Sequence, residues 1–213
     1  MKIKKFPQSC VLMTIGKTKL LIDPGNRKFD DSYIPEWKTA DAILVTHKHG
    51  DHCHDIVIEK LGLPIYSTKE VQSQFPNLKI NVVKPGDTLK IGEANILVTQ
   101  AVHGFCPPMR ESGAEVFGGV GYIIDDGKTK VYVTGDTLCF NNDYVVDILI
   151  APCSGNCVTM DPLGCALFTK MVKAKKLIVV HNDFYDLPDN AEKVLKEQGI
   201  DYIIPGLCDT LDL

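Results

Sequence analysis

Within Thr46-His47-Lys48-His49-Gly50-Asp51-His52, three imidazoles and a carboxylate fall inside six positions. Imidazole nitrogen and carboxylate oxygen are the usual ligands of zinc and its first-row neighbours. Crowded together without a cation, four such groups carry a desolvation cost that nothing offsets. The stretch follows the apolar run Ala42-Ile43-Leu44-Val45, which the pattern predicts as a buried strand. Residues two apart on an extended segment share a face, so His47 and His49 aim at one point. Gly50 then lets the backbone turn, and Asp51 and His52 return toward that point at the start of the next helix. The chain holds six histidines: His47, His49, His52, His54, His103 and His181. A His-rich solvated loop is the bland reading of the motif. The placement of His103 and His181 at the ends of other apolar runs argues against it. His54 faces elsewhere on the following helix and reads as structural.

The elements that must position these groups are legible as apolar runs between turn residues. Residues 43–45 end near His47, 96–102 at His103, 131–133 near Asp136, and 177–180 at His181. Four runs each deliver a metal-type ligand at the C-terminal end, where ligands bind in open α/β sheets. Further strands are predicted at 2–6, 9–15, 19–23, 64–68, 80–83, 88–91, 118–124, 146–151 and 202–204. Helices are predicted at 55–61, 69–75, 162–172 and 188–198, with Asp161 and Pro162 opening the third. Residues 26–38 read as a loop with a short helical turn. Residues 105–113 read as an irregular loop, of the kind that is usually functional. The alternation predicts a layered α/β chain, with residues 1–213 forming a single domain.

The composition narrows the function. Twenty-three Lys and Arg against 27 Asp and Glu give a net charge of −4. That balance lacks the basic footprint of a nucleic-acid binder. Met1-Lys2-Ile3-Lys4-Lys5 is followed by no apolar signal core, and no apolar run approaches a membrane span. The expected location is the cytoplasm, with no membrane partner. The eight cysteines are then expected as reduced thiols. Cys153 and Cys157 have no second ligand pair nearby, which argues against a separate structural zinc.

The motif from Thr46 to His52 resembles the HxHxDH signature of the metallo-β-lactamase-fold hydrolases. The later residues continue the family order: a lone His103, Asp136 within Gly135-Asp136-Thr137, and His181 after a buried strand. The resemblance implies a four-layer αββα sandwich with the site along one edge of its two sheets. It also implies two divalent metal ions, zinc first, with manganese or iron admitted. His47, His49 and His103 would hold one, Asp51, His52 and His181 the other, and Asp136 would bridge them. A water shared by two such ions drops toward a pKa of ~7 and becomes the attacking hydroxide, with Asp51 orienting it. Within the superfamily the chain looks most like the hydrolases related to L-ascorbate-6-phosphate lactonase, through Gly135-Asp136-Thr137, residues 155–161 and Val179-Val180-His181. A small-molecule ester, lactone or phosphoester is the implied substrate. Gln8-Ser9-Cys10 departs from those relatives, which often carry a His in the first hairpin. Three alternatives remain open: a nuclease or phosphodiesterase of the same fold, a metal-binding sensor without turnover, and a diiron redox protein. Relatives of the latter place Glu where this chain has His49. Self-association into a homo-oligomer is common near the lactonase.

Outside the seven ligands the expectations have two readings each. Asp23 either accepts the N–H of a ligating His or merely ends its strand. Thr46 and Thr137 do similar work or cap local backbone. Asp161 caps the helix at Pro162 or faces the substrate. Arg110 clamps a substrate anion or sits exposed. Tyr185 donates to a leaving group or lies on the surface. Cys53, Cys106 and Cys139, each close to a ligand, are read as small packing residues.

Overall fold

Period-two burial along the strands decides the layering. Leu20 and Ile22 pack into one apolar cluster and Leu21 between them into another. Leu149 and Ala151 likewise point away from Ile148 and Ile150. Strands with two buried faces must be covered on both sides. The computed structural model describes residues 1–183 and 187–213. Its first sheet is built from β1 (Lys2–Lys5), β2 (Val11–Ile15), β3 (Thr18–Ile22), β4 (Ala42–Leu44), β5 (Ile65–Ser67) and β6 (Ile80–Val82). The second is built from β7 (Thr88–Ile91), β8 (Ala94–Gln100), β9 (Val120–Asp125), β10 (Lys130–Val133), β11 (Ile148–Pro152), β12 (Lys176–Val180) and β13 (Tyr202–Ile203). The last strand, β14 (Thr210–Asp212), returns to the first sheet. The orders are β14-β1-β2-β3-β4-β5-β6 and β13-β12-β11-β10-β9-β8-β7.

The sheets pack face to face over one cluster that takes Ile3, Met13, Leu20 and Leu44 from the first and Val98, Tyr122, Val133 and Ile178 from the second. Short helices α1 (Ile34–Trp37), α2 (Asp55–Leu61) and α3 (Lys69–Gln74) cover the outer face of the first sheet through Trp37, Ile58 and Val71. Helix α4 (Pro107–Ser112) buries no residue. Helices α5 (Pro162–Met171) and α6 (Ala191–Glu197) cover the second sheet through Phe168 and Leu195. The result is the expected αββα sandwich. No helix among the described residues is long and apolar enough to cross a membrane.

Strand direction gathers the site. β3 and β4 pair in parallel, as do β10, β11 and β12. β8 is antiparallel to β9, and β9 to β10, so β8 runs with β10. β3 and β4 thus end together in the first sheet, β8, β10, β11 and β12 end together in the second, and β9 starts where the latter end. There the sheets are stitched together: Val120 N–H donates to Thr46 O at 3.0 Å and the Tyr122 hydroxyl donates to Val45 O at 2.9 Å.

Three expectations need correction. Residues 105–113 are not irregular throughout: Pro107 and Pro108 open α4, where proline's missing N–H is not needed. Strand β14 was not anticipated. It is three residues long with a single apolar side chain, too short for a periodic signal, and it exists because β1 offers it an open edge. The helix expected over 188–198 is confined to α6.

Gly135 shows how tight the edge is. It has φ +62°, and a Cβ added there would lie 2.7 Å from Thr46 Cβ. Gly135→Ala is expected to lower unfolding free energy by about 1–3 kcal/mol. Urea denaturation checks this, and an unchanged midpoint would contradict it.

Candidate metal centre

The strand ends bring the seven side chains together as two sets. Ligand atoms of His47, His49, His103 and Asp136 all lie within 4.8 Å of one another, and those of Asp51, His52 and His181 do the same. Asp136 faces both sets. Its Oδ2 lies 3.9 Å from His47 Nε2, 4.0 Å from His103 Nε2 and 3.6 Å from His181 Nε2. Its Oδ1 lies 3.3 Å from His52 Nε2.

Partners outside the cluster fix which nitrogen of each ring turns inward. Asp23 directly follows β3 and is fully buried. It accepts from Thr46 N–H at 2.7 Å, from the Thr46 hydroxyl at 2.8 Å and from His52 Nδ1 at 2.8 Å. The single hydroxyl proton of Thr46 is thereby used, so its oxygen accepts from His47 Nδ1 at 3.1 Å. His49 Nε2 donates to Ala114 O and His103 Nδ1 to Gly104 O, each at 2.7 Å. Every one of these four rings is left with a lone pair toward the centre.

Those lone pairs test whether a cation fits. His47 Nε2 and His49 Nδ1 face each other at 3.1 Å, two acceptors with no proton between them. His52 Nε2, His103 Nε2 and Asp136 Oδ1 are buried and make no hydrogen bond. Leaving such atoms unsatisfied costs roughly 1–3 kcal/mol each. Positive charge among them answers all of these deficits together, and nitrogen and oxygen donors suit zinc, manganese or iron.

The electrostatics show how strongly these crowded groups act on one another. Burial raises Asp136, but His181 and His52 overcome it and hold the carboxyl well below the usual range. Burial opposes ionisation of Asp51 too, yet the hydrogen bond with His181 at 3.2 Å and the nearby His52 bring it to about 2. Burial pushes His47 and His103 down. It also works against protonation of His52 and His181, but there Asp136 prevails and both are raised.

His181 itself is strained, at φ +64°. Its N–H donates to Gln8 O at 3.1 Å. Gln8 N–H donates to Asp183 Oδ2 at 2.7 Å, and Lys5 Nζ donates to the same oxygen at 2.7 Å. Lys5 is 1% exposed, so this ion pair is largely desolvated on one side. It ties the first hairpin to the segment that carries His181.

The remaining candidates separate. A cleft of about 780 Å³ opens beside the two sets and exposes His49, Asp51, Asp136 and His181 to its interior. Arg110 is exposed on α4 and does not line it; its neighbour Met109 does. Asp161 Oδ1 accepts from Gly164 N–H at 2.7 Å and caps α5, also away from the cleft. Thr137 accepts from Val102 N–H and donates to Leu138 O, holding the strand end beside His103. His54 packs edge-on against Phe29. Cys53 is buried and Cys139 exposed, while Cys106 borders the cleft. Tyr185 lies outside the described residues. Sequence reasoning missed Asn26 and Arg27, which line the cleft together with Asn156. The one available signal was the Asp23-Pro24-Gly25 stop. A Cβ on Gly25 would fall 1.8 Å from Asp51 O, so the turn is pressed against the motif.

Removing half of the buried pair tests the tie to His181. Lys5→Met leaves Asp183 without its cation and is expected to cost about 2 kcal/mol in urea unfolding. Metal retention during dialysis should also fall in Lys5→Met and in Asp183→Asn. Retention equal to the wild type in both variants would contradict the positioning role.

A family profile described as "Beta-lactamase superfamily domain" matches residues 2–181. A UPF0173 metal-dependent hydrolase of Thermoplasma volcanium is 31% identical, over 93% of this chain and 93% of its own length. The crystal structure of the metallo-beta-lactamase fold protein YhfI from Bacillus subtilis superposes with a TM-score of 0.78 at 22% identity, covering 99% of this chain and 98% of its own. Zinc-bound PqqB from Methylobacterium extorquens superposes at 0.72 with 14% identity, over 97% and 88% of the two chains. With its two His/Asp sets at one edge of an αββα sandwich, the chain belongs to the β-lactamase superfamily and, within it, to the UPF0173 metal-dependent hydrolases.

Proposed function

We propose that this protein is a dinuclear metal-dependent hydrolase of small esters, lactones or phosphoesters. In this reading His47, His49 and His103 hold one ion, Asp51, His52 and His181 hold the other, and Asp136 serves both. The observation that carries it is the position of Asp136, whose carboxylate faces both sets at 3.3–4.0 Å. Zinc is the expected metal, with manganese or iron as substitutes, given the nitrogen-rich donor set and the zinc found in PqqB of the same fold. When bound, the ions supply Lewis acidity toward the substrate oxygen and acidify water toward neutral pH.

The chain's own residues supply the rest. Asp51 borders the cleft and is ionised at neutral pH, so its carboxylate orients the attacking water and receives its hydrogen bond. Asp23 and Thr46 hold His52 and His47 in one tautomer and keep their ring planes fixed. Ala114 O does this for His49. Met109 and Val158 are apolar side chains lining the cleft, against which a small substrate would displace water. The acidic overall charge favours a small-molecule substrate over nucleic acid. The substrate class follows the likeness to lactonase-related hydrolases, with residues 1–213 acting as one domain in the cytoplasm.

Two equivalents of metal per chain are expected by elemental analysis. Chelation should abolish turnover across a panel of esters, lactones and phosphoesters, and added zinc or manganese should restore it. Asp51→Ala is expected to lose activity by roughly 10²–10⁴-fold. Full turnover in metal-loaded Asp51→Ala would contradict the assignment.

A further inference from the structure

Residues 105–118 follow His103, pass through α4 and return toward β9. None of them is buried, and Phe117 near the end is 85% exposed. A segment with so little burial opens at low free-energy cost unless polar contacts hold it. Yet its residues Cys106, Met109 and Ala114 line the cleft. Ala114 O also takes the hydrogen bond from His49 Nε2, at 2.7 Å. The segment comes back directly over the metal motif: a Cβ added at Gly119 would lie 3.9 Å from His47 Cβ.

What holds it is Glu70. The Glu70 carboxylate accepts from Gly118 N–H at 2.8 Å and from Phe117 N–H at 3.2 Å. It also pairs with Lys48 Nζ at 3.0 Å. Lys48 stands between His47 and His49 in the motif, so one carboxylate joins the segment after α4 to the stretch that carries two ligands. The Glu70 and Lys48 side chains are 22% and 14% exposed, and solvent screens such a pair only in part. Among the described residues, His49 and Glu70 are the two side chains that hydrogen-bond to residues 113–118 from outside the segment.

The base of Glu70 is set by the first sheet. β5 pairs in parallel with β4, Tyr66 opposite Leu44. The Ser67 hydroxyl donates to Val45 O at 2.7 Å. Thr68 then caps α3 by accepting from Val71 N–H. Glu70, in the first turn of α3, is therefore carried to the motif by the strand beside it.

Resting on the reading of His49 as a metal ligand, we propose that Glu70 is a positioning residue of the metal centre. It touches neither ion nor substrate. It holds residues 113–118 so that Ala114 O meets the Nε2–H of His49, which keeps His49 Nδ1 turned toward the centre.

Three readouts on the full chain test this in the wild type, Glu70→Ala and Glu70→Gln. In the metal-free protein at mildly alkaline pH, long-range proton–nitrogen NMR correlations show which ring nitrogen of His49 carries the proton. The wild type is expected to hold it on Nε2. Glu70→Ala should give a mixture of both His49 tautomers, with His103, whose partner is Gly104 O, unchanged. Amide exchange at residues 113–118 should quicken roughly tenfold, as loss of a charged hydrogen bond implies, while β10 keeps its protection. In competition with a chelating dye, zinc at the His49 set should weaken about tenfold or more, as for lost outer partners of metal ligands, and the second equivalent should not change. Glu70→Gln keeps one oxygen for Gly118 N–H and should fall between the other two proteins in every readout. A wild-type tautomer of His49 or a wild-type zinc affinity in Glu70→Ala overturns the proposal, even where exchange quickens, because Glu70 would then only pack a loop. A wild type that binds no zinc through His49 counts against the metal reading instead, and the tautomer alone then decides whether Glu70 acts on His49.

Discussion

Three carboxylates and five imidazoles held together at one sheet edge demand positive charge. Asp23 and His52 are completely withdrawn from solvent, and Asp136 and His181 nearly so. Isolated charges in such surroundings are strongly disfavoured. Hydrogen bonds donated to Thr46 Oγ1, Ala114 O and Gly104 O satisfy the outward atoms of the rings. The inward atoms are left to one another, acceptor against acceptor in the case of His47 and His49. The rest of the edge can be understood as the scaffolding that holds this unfavourable arrangement in place.

That scaffolding is distributed over both sheets. Asp23 comes from β3 and links Thr46 and His52 across the turn after β4. Val120 and Tyr122 of the second sheet reach across to the backbone of residues 45 and 46. The cost shows in the backbone: Asp23 and His181 both adopt positive φ, a conformation that side-chain-bearing residues avoid. Strain of this kind persists only where surroundings over-determine it. For His181 the surroundings are Gln8, Asp183 and the buried Lys5.

Much of this was legible in the residue pattern. Leu20-Leu21-Ile22 and Ile148-Leu149-Ile150 are unbroken apolar runs that read as buried strands, and their alternate side chains enter different cores; the four-layer sandwich was legible only through the family resemblance. The histidine spacing, with runs ending at His103, Asp136 and His181, pointed to one shared edge because parallel strands end together. What stayed hidden depends on distance in sequence. The Lys5–Asp183 pair spans 178 positions and looks like two ordinary surface charges until folding joins them. Arg27 sits in a polar loop with no periodicity, so nothing local distinguished it from Arg110. Strand β14 pairs through its backbone, which side-chain patterning does not report. Asp161, by contrast, could be read as a helix cap from Asp-Pro alone, and its side chain does cap α5.

The most direct test of the central claim is anomalous diffraction at the zinc edge from crystals of the zinc-loaded protein. Two peaks are predicted, one among His47, His49 and His103 and one among Asp51, His52 and His181, with Asp136 lying between them. A single peak, or zinc bound anywhere other than against Asp136, would contradict it.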